Sequence, residues 1–146
     1  MALHFLKFHK APRAVAPPAT KRILFVEDSG SDVAYVSHVL KNHPNKYSYD
    51  VSAVPTLLDA LRQLKDESFD LILLDLNLVD VSGVVTVSAL HAEAPEVPIL
   101  VYSGVSDLMW RERAVKKGAA GYLVKGCDEG ASLGHAIEAT LRRLAA

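Results

Sequence analysis

Four consecutive large aliphatics, Leu71-Ile72-Leu73-Leu74, followed at once by Asp75, constrain this chain more than any other stretch. A run with neither helical gaps nor alternation fits a strand buried on both faces, as in a parallel sheet covered by helices. Asp75 then stands where a buried strand emerges. An unpaired ionised carboxylate there loses on the order of several kcal/mol of hydration. A solvated loop aspartate and a carboxylate paired at a ligand site both satisfy this, because open α/β sheets place their sites at the carboxyl ends of strands. The remaining strand ends have to decide.

Those ends recur at regular intervals. Ile23-Leu24-Phe25-Val26 is a second apolar run and closes on Glu27-Asp28. Residues 29–31 carry N-cap chemistry for a helix whose Val33, Val36, Val39 and Leu40 recur at helical spacing until Asn42-His43-Pro44. Residues 47–54 are rich in β-formers and read as an edge strand. Pro55 opens a helix with a Leu57, Leu58, Leu61, Leu64 stripe. After Asp75, a loop through Asp80 and Gly83 leads to a helix over residues 84–93 on a Val84, Val87, Leu90 stripe. Residues 98–102 form a fourth strand ending at Ser103. Asp107 caps a helix that Gly118 terminates, and its thin stripe is Leu108, Val115 and Ala119, with Met109 and Trp110 partly off it. Residues 121–124 form the fifth strand, ending at Lys125. Leu133, Ala136, Ile137, Thr140, Leu141 and Leu144 trace the last helix. Five alternations with crossovers of helical length predict an α/β fold, a doubly wound five-stranded parallel sheet with helices on both faces.

Composition narrows the class. At 146 residues the chain is expected to be one domain, and no apolar run approaches the roughly 20 residues of a membrane span. A single cysteine, Cys127, excludes an internal disulfide framework and fits a reducing, cytoplasmic setting. Residues 1–22 hold five basic residues and no acid, leaving 11 basic against 17 acidic residues beyond them. With prolines at 12, 17 and 18 and little to bury, residues 1–20 read as a flexible basic arm, and residues 21–146 as the domain.

Two acids at Glu27-Asp28, a third carboxylate at Asp75, a hydroxyl at Ser103 and an ammonium at Lys125 therefore converge on one edge. Clustered carboxylates repel one another and favour a divalent cation, and an all-oxygen set suits Mg2+. A hydroxyl and a lysine opposite supply the donors and charge that a phosphoryl group requires. Asp75 is then the expected nucleophile toward phosphorus. The six histidines show no ligand spacing with one another, and Cys127 has no dedicated base, so neither is read as a site.

Across residues 21–144 these motifs, in this order, resemble the receiver domains of bacterial two-component response regulators. The resemblance implies a flavodoxin-like strand order 2-1-3-4-5. It makes Asp75 the phosphoacceptor, with phosphate drawn from a histidine kinase or a histidine phosphotransfer protein. Asp28, Asp75 and the backbone carbonyl of Asn77 become metal ligands, with Glu27 acting through water or from behind. Ser103 and Tyr122 become the switch pair and Lys125 the phosphate-binding lysine. The chain would catalyse only its own phosphorylation and dephosphorylation. Val79 and Gly126 stand where the family commonly has proline, which bears on loop geometry. A cis bond before glycine costs about 2.5 to 4 kcal/mol, so the Lys125–Gly126 bond is expected to be trans.

Two rivals were weighed on the same residues. A haloacid dehalogenase-type phosphatase also uses Asp, Ser or Thr, Lys and Mg2+, but the acid it needs two residues past the nucleophile is Asn77 here. A phosphorylation-independent docking module would have no use for the full chemical set. Nothing after Leu144 reads as a nucleic-acid-binding or catalytic domain, so a stand-alone regulator, a relay intermediate or a fragment is expected. The state should be read by a protein partner at residues 107–117, 121–124 and 129–145, with Met109 and Trp110 as contacts. On phosphorylation the Tyr122 ring is expected to move into space opened beside it.

Overall fold

A computed structural model describes residues 16–44, 46–126 and 131–145. Most of the basic arm, His4 and His9 within it, and Cys127 lie outside the described residues. The strands are β1 (Thr20–Val26), β2 (Ser48–Val54), β3 (Leu71–Leu74), β4 (Ile99–Ser103) and β5 (Gly121–Val124). The helices are α1 (Gly30–Asn42), α2 (Leu57–Asp66), α3 (Val85–Glu93), α4 (Leu108–Lys116) and α5 (Ala131–Ala145). All strand pairs are parallel, in the order β2-β1-β3-β4-β5. The strand count, parallel sense and order are as the sequence led us to expect.

The four apolar residues of β3 are fully buried because the sheet has a core on each side. Leu24, Val26, Ile72, Leu74, Ile99 and Val101 point to one face, under Leu57 and Ala60 of α2, Val87 and Leu90 of α3 and Ala114 of α4. Ile23, Phe25, Leu71, Leu73, Leu100 and Tyr102 point to the other, under Val36 and Leu40 of α1 and Leu133, Ile137 and Leu141 of α5. At about 1.5 to 3 kcal/mol per buried aliphatic side chain, this double burial is the main force aligning the strand ends.

Three helical stripes differ from expectation in detail. Leu58 and Leu144 face solvent, and Ala60 takes the buried position on α2. On α4 the difference is larger. Leu108 and Val115 are 64% and 53% exposed, whereas Ala114 is fully buried and Trp110 packs on the core. A nine-residue helix with apolar residues on several sides has no single periodic face, and the small Ala114 permits the closest approach to the sheet. Trp110 thus lies one turn before Ala114 on the inward side, and its ring would stand 3.5 Å from a side chain placed at Gly83.

α4 ends as its sequence suggests. Ala119 N–H donates to Ala114 O and Gly118 N–H to Val115 O, the two bonds of a Schellman motif, with Gly118 at φ +117°. A side chain at Gly118 would also meet the His91 ring at 2.8 Å. Gly118→Ala should therefore lower unfolding stability by about 1 to 3 kcal/mol, measured by urea denaturation, with the strand-end site unaltered. A variant as stable as the parent would show that this cap is not under steric constraint.

Candidate functional site

The site is assembled by the main chain first. Beyond the last residue of three strands, the next N–H still bonds to the neighbouring strand: Glu27 to Val54 O, Asp75 to Val26 O and Lys125 to Ser103 O, at 2.9, 3.0 and 2.8 Å. Each chemical residue therefore begins from a fixed backbone position. Glu27 and Asp75 are 3% and 5% exposed, while Asp28 beside them faces solvent. One carboxylate oxygen from each of the three lies within 4.8 Å of the others.

The Lys125 ammonium sits among them. It makes an ion pair with Glu27 Oε1, reaches Asp32 Oδ2 at 2.8 Å and faces Asp75 Oδ2 at 3.4 Å. Asp32, in the first turn of α1, is a member of the site that sequence reasoning missed. The available signal was an acid at the start of the helix that follows the acidic pair. Burial works against the Lys125 charge, but the Asp32 and Glu27 hydrogen bonds and the nearby Asp75 outweigh it and hold the ammonium above its ordinary value. The Asp32 carboxyl is correspondingly lowered, chiefly by its hydrogen bond with Lys125. Glu27 goes the other way. Burial and then the adjacent Asp75 push it up to about 8, against the pull of Lys125.

Both oxygens of Glu27 are occupied. Oε1 meets Lys125, and Oε2 accepts from the N–H groups of Asp28 and Ser29 at 3.1 and 3.5 Å. Asp75 Oδ1 accepts from Asn77 N–H at 3.2 Å, which places Asn77 beside the carboxylate cluster. The loop holding Asn77 is tied back by an antiparallel bridge to Ser82 and by Asp80, whose two oxygens accept from Leu57 N–H and Leu58 N–H at 3.2 Å each. Asp80 thereby caps α2 from another part of the chain, a second role that the sequence did not reveal.

Ser103 and Tyr122 meet at one residue, Val105. Val105 N–H donates to Ser103 Oγ at 3.4 Å, and Tyr122 OH donates to Val105 O at 2.6 Å. The Tyr122 ring is already buried, with the Arg111 guanidinium 5.7 Å from its centroid. The ring movement expected on phosphorylation would therefore start from a position that is already buried. Burial raises the Tyr122 hydroxyl above its ordinary value, so it remains a donor. The Lys125–Gly126 bond is trans, and Gly126 adopts φ +79°, a conformation that glycine reaches without strain.

Comparison with known proteins gives the family. The model of the response regulator receiver domain matches residues 23–137, most of the chain. The chain belongs to the response regulator receiver family. The receiver is 31% identical over 106 residues to the transcriptional regulatory protein ZraR of Salmonella typhimurium, a match covering 73% of this chain. The matched stretch spans only 23% of that relative's length. Among solved structures, it is similar to a LuxR-family two-component response regulator from Aurantimonas. That similarity has 25% identity and a TM-score of 0.76, covering 86% of this chain and 87% of the other. A response regulator from Burkholderia pseudomallei, solved with a phosphorylated aspartic acid and a calcium ion, is 26% identical. Its TM-score is 0.69, with 86% and 71% of the two chains covered. The receiver is a signalling module.

Its charge arrangement has a pH consequence. Because Glu27 is raised from 4.5 to about 8, the folded chain holds a proton there that the unfolded chain releases. The stabilisation is complete below the unfolded value and is lost as pH rises through the folded one. Metal-free protein should therefore lose unfolding free energy as pH climbs from 4.5 to about 8. Urea titrations in EDTA should show the decline, and Glu27→Gln should flatten it; an unchanged profile in the variant would exclude Glu27 as its source.

Proposed function

We propose that this receiver takes a phosphoryl group onto Asp75 from the phosphohistidine of a kinase or phosphotransfer protein and passes the change to a protein partner. The observation that carries the reading is a buried carboxylate, Asp75, 3.4 Å from a half-buried ammonium and within 4.8 Å of two further carboxylates. An Asp75 oxygen attacks phosphorus, the phosphorus–nitrogen bond breaks, and the departing imidazole keeps the electron pair. The product is an acyl phosphate.

The oxygen-only donor set fits Mg2+. Asp28, open to solvent, Asp75 and the Asn77 carbonyl would hold it directly. Glu27, with both oxygens engaged, would act from behind or through water. When bound, Mg2+ supplies charge neutralisation between the two anions that must approach. Lys125 stays charged at any physiological pH and is closer to Asp32 than to Asp75, so a phosphoryl group on Asp75 can draw it over. Self-catalysed loss of the phosphoryl group would use the same residues. A cytoplasmic setting suits such a phosphodonor, and no helix among the described residues is long and apolar enough to cross a membrane.

The output begins at Val105. Ser103 Oγ, now an acceptor in a long hydrogen bond, can turn its proton to a phosphoryl oxygen in a charge-assisted bond. The loop then moves with both groups that grip it, carrying α4. The reading face comprises α4, β5 and α5, with Leu108, Met109 and Val115 exposed on it. Trp110 faces inward and is a reporter of α4 rather than a contact. A change from 1:99 to 99:1 requires about 5.5 kcal/mol of differential binding, which a modestly anchored helix makes attainable. We take residues 21–146 as the receiver unit, within which the family match over residues 23–137 falls, and residues 1–20 as an arm.

Intact-mass analysis with Mg2+ and a small phosphodonor should give one lasting phosphoryl adduct, reduced to background in Asp75→Asn. Steady release of phosphate without an adduct would point to a phosphatase, and full labelling of Asp75→Asn would displace Asp75 as acceptor. Mg2+ affinity should fall by more than about tenfold in Asp28→Asn with the fold retained. Trp110 emission should change on phosphorylation in the parent and not in Asp75→Asn. An unresponsive Trp110 with unchanged amide shifts over residues 104–126 would exclude this face.

A further inference from the structure

The end of α1 and the middle of α5 bring together three side chains that the chemistry above does not use. One ring nitrogen each of His43 and His135 and a carboxylate oxygen of Glu138 lie within 4.8 Å of one another. The two imidazoles meet edge to face, with centroids 4.9 Å apart and planes at 89°. His43 Nε2 is enclosed by protein, and among the described residues it is the one buried side-chain polar atom with no hydrogen-bond partner. A buried polar atom left in this way costs about 1 to 3 kcal/mol, which asks what satisfies it.

The surroundings are shaped for that imidazole. Gly134 lies inside α5, where glycine is about 0.8 to 1.0 kcal/mol less favourable than alanine. A Cβ at this position would stand 2.6 Å from the His43 ring, so the glycine makes room for it. His135 and Glu138 are three residues apart and share one side of the helix. Glu138 is already oriented: its Oε1 accepts from Lys46 N–H at 3.3 Å and meets the Arg142 guanidinium at 3.5 Å. Both contacts fall on Oε1, so Oε2 can be offered to a cation without breaking either.

We propose that His43, His135 and Glu138 form a site for a divalent transition metal, zinc by its donor chemistry, separate from the carboxylate site at the strand ends. Two imidazoles and one carboxylate bind Zn2+ at about 2.0 to 2.2 Å and leave a fourth position for water. Mg2+ prefers oxygen donors alone and is disfavoured here. Around a tetrahedral ion, neighbouring donor atoms stand about 3.4 Å apart. Atoms that already lie within 4.8 Å of one another need at most a small movement to reach this spacing, which the exposed His135 can supply. A bound ion would give the enclosed His43 nitrogen a partner and clamp the end of α1 to α5.

Calorimetric titration of the full chain with Zn2+, in excess Mg2+ to occupy the carboxylate site, tests this directly. The expected result is one equivalent bound by the parent and by Asp28→Asn. Affinity should fall by more than about tenfold in His135→Ala and in Glu138→Gln, both of which alter incompletely buried side chains. NMR should show the imidazole signals of His43 and His135 shifting together over the same equivalent. Zinc bound as tightly by His135→Ala as by the parent, or no zinc uptake by the parent, would overturn the proposal.

Discussion

One ammonium makes the acidic edge of this sheet possible. Glu27 and Asp75 are almost wholly removed from water, and Asp28 and Asp32 stand beside them. Two unit charges 4 Å apart interact by about 4 kcal/mol at the effective dielectric of such a site, so the acids together would oppose folding. Lys125 answers three of them at once, and even so Glu27 remains reluctant to ionise. The same residue that permits the cluster in the resting protein is the one that a dianionic phosphoryl group would attract. The resting structure is therefore a competition for a single cation, and adding charge at Asp75 changes its outcome.

The edge that carries these charges is joined to the rest of the fold by directional contacts. Ser103 and Tyr122 hold the two backbone polar groups of Val105, one its N–H and the other its carbonyl. The Tyr122 ring is buried beside this contact. The Trp110 ring against Gly83 links α4 to the loop that follows β3, which also carries Asn77. α4 is thus tied to the loops on both sides of Asp75 by separate contacts.

The sequence revealed what depends on long, one-signed patterns. Leu71–Leu74 fitted a doubly covered strand, and the alternation of runs with helical spacing led to the parallel sheet and to the residues at its ends. It said less where tertiary packing chooses among comparable faces. α4 offered Leu108, Met109, Trp110 and Val115 on several sides, and the fit of Ala114 against the sheet selected the inner one. Asp32 was hidden because an acid in a first helical turn is explained by the helix alone. Asp80 was hidden because its partners, Leu57 and Leu58, are distant in sequence. His43 and His135 showed no ligand spacing because they lie on different helices, whose apposition only the folded sheet supplies.

The hydrogen-bond ladder that runs one residue past the strand ends separates position from chemistry. Glu27, Asp75 and Lys125 owe their places to their peptide groups, and a peptide group is the same whatever side chain it bears. The edge of the sheet thus behaves as a row of fixed sockets. Substitution can rewrite the charge presented at each one without redrawing the architecture beneath it.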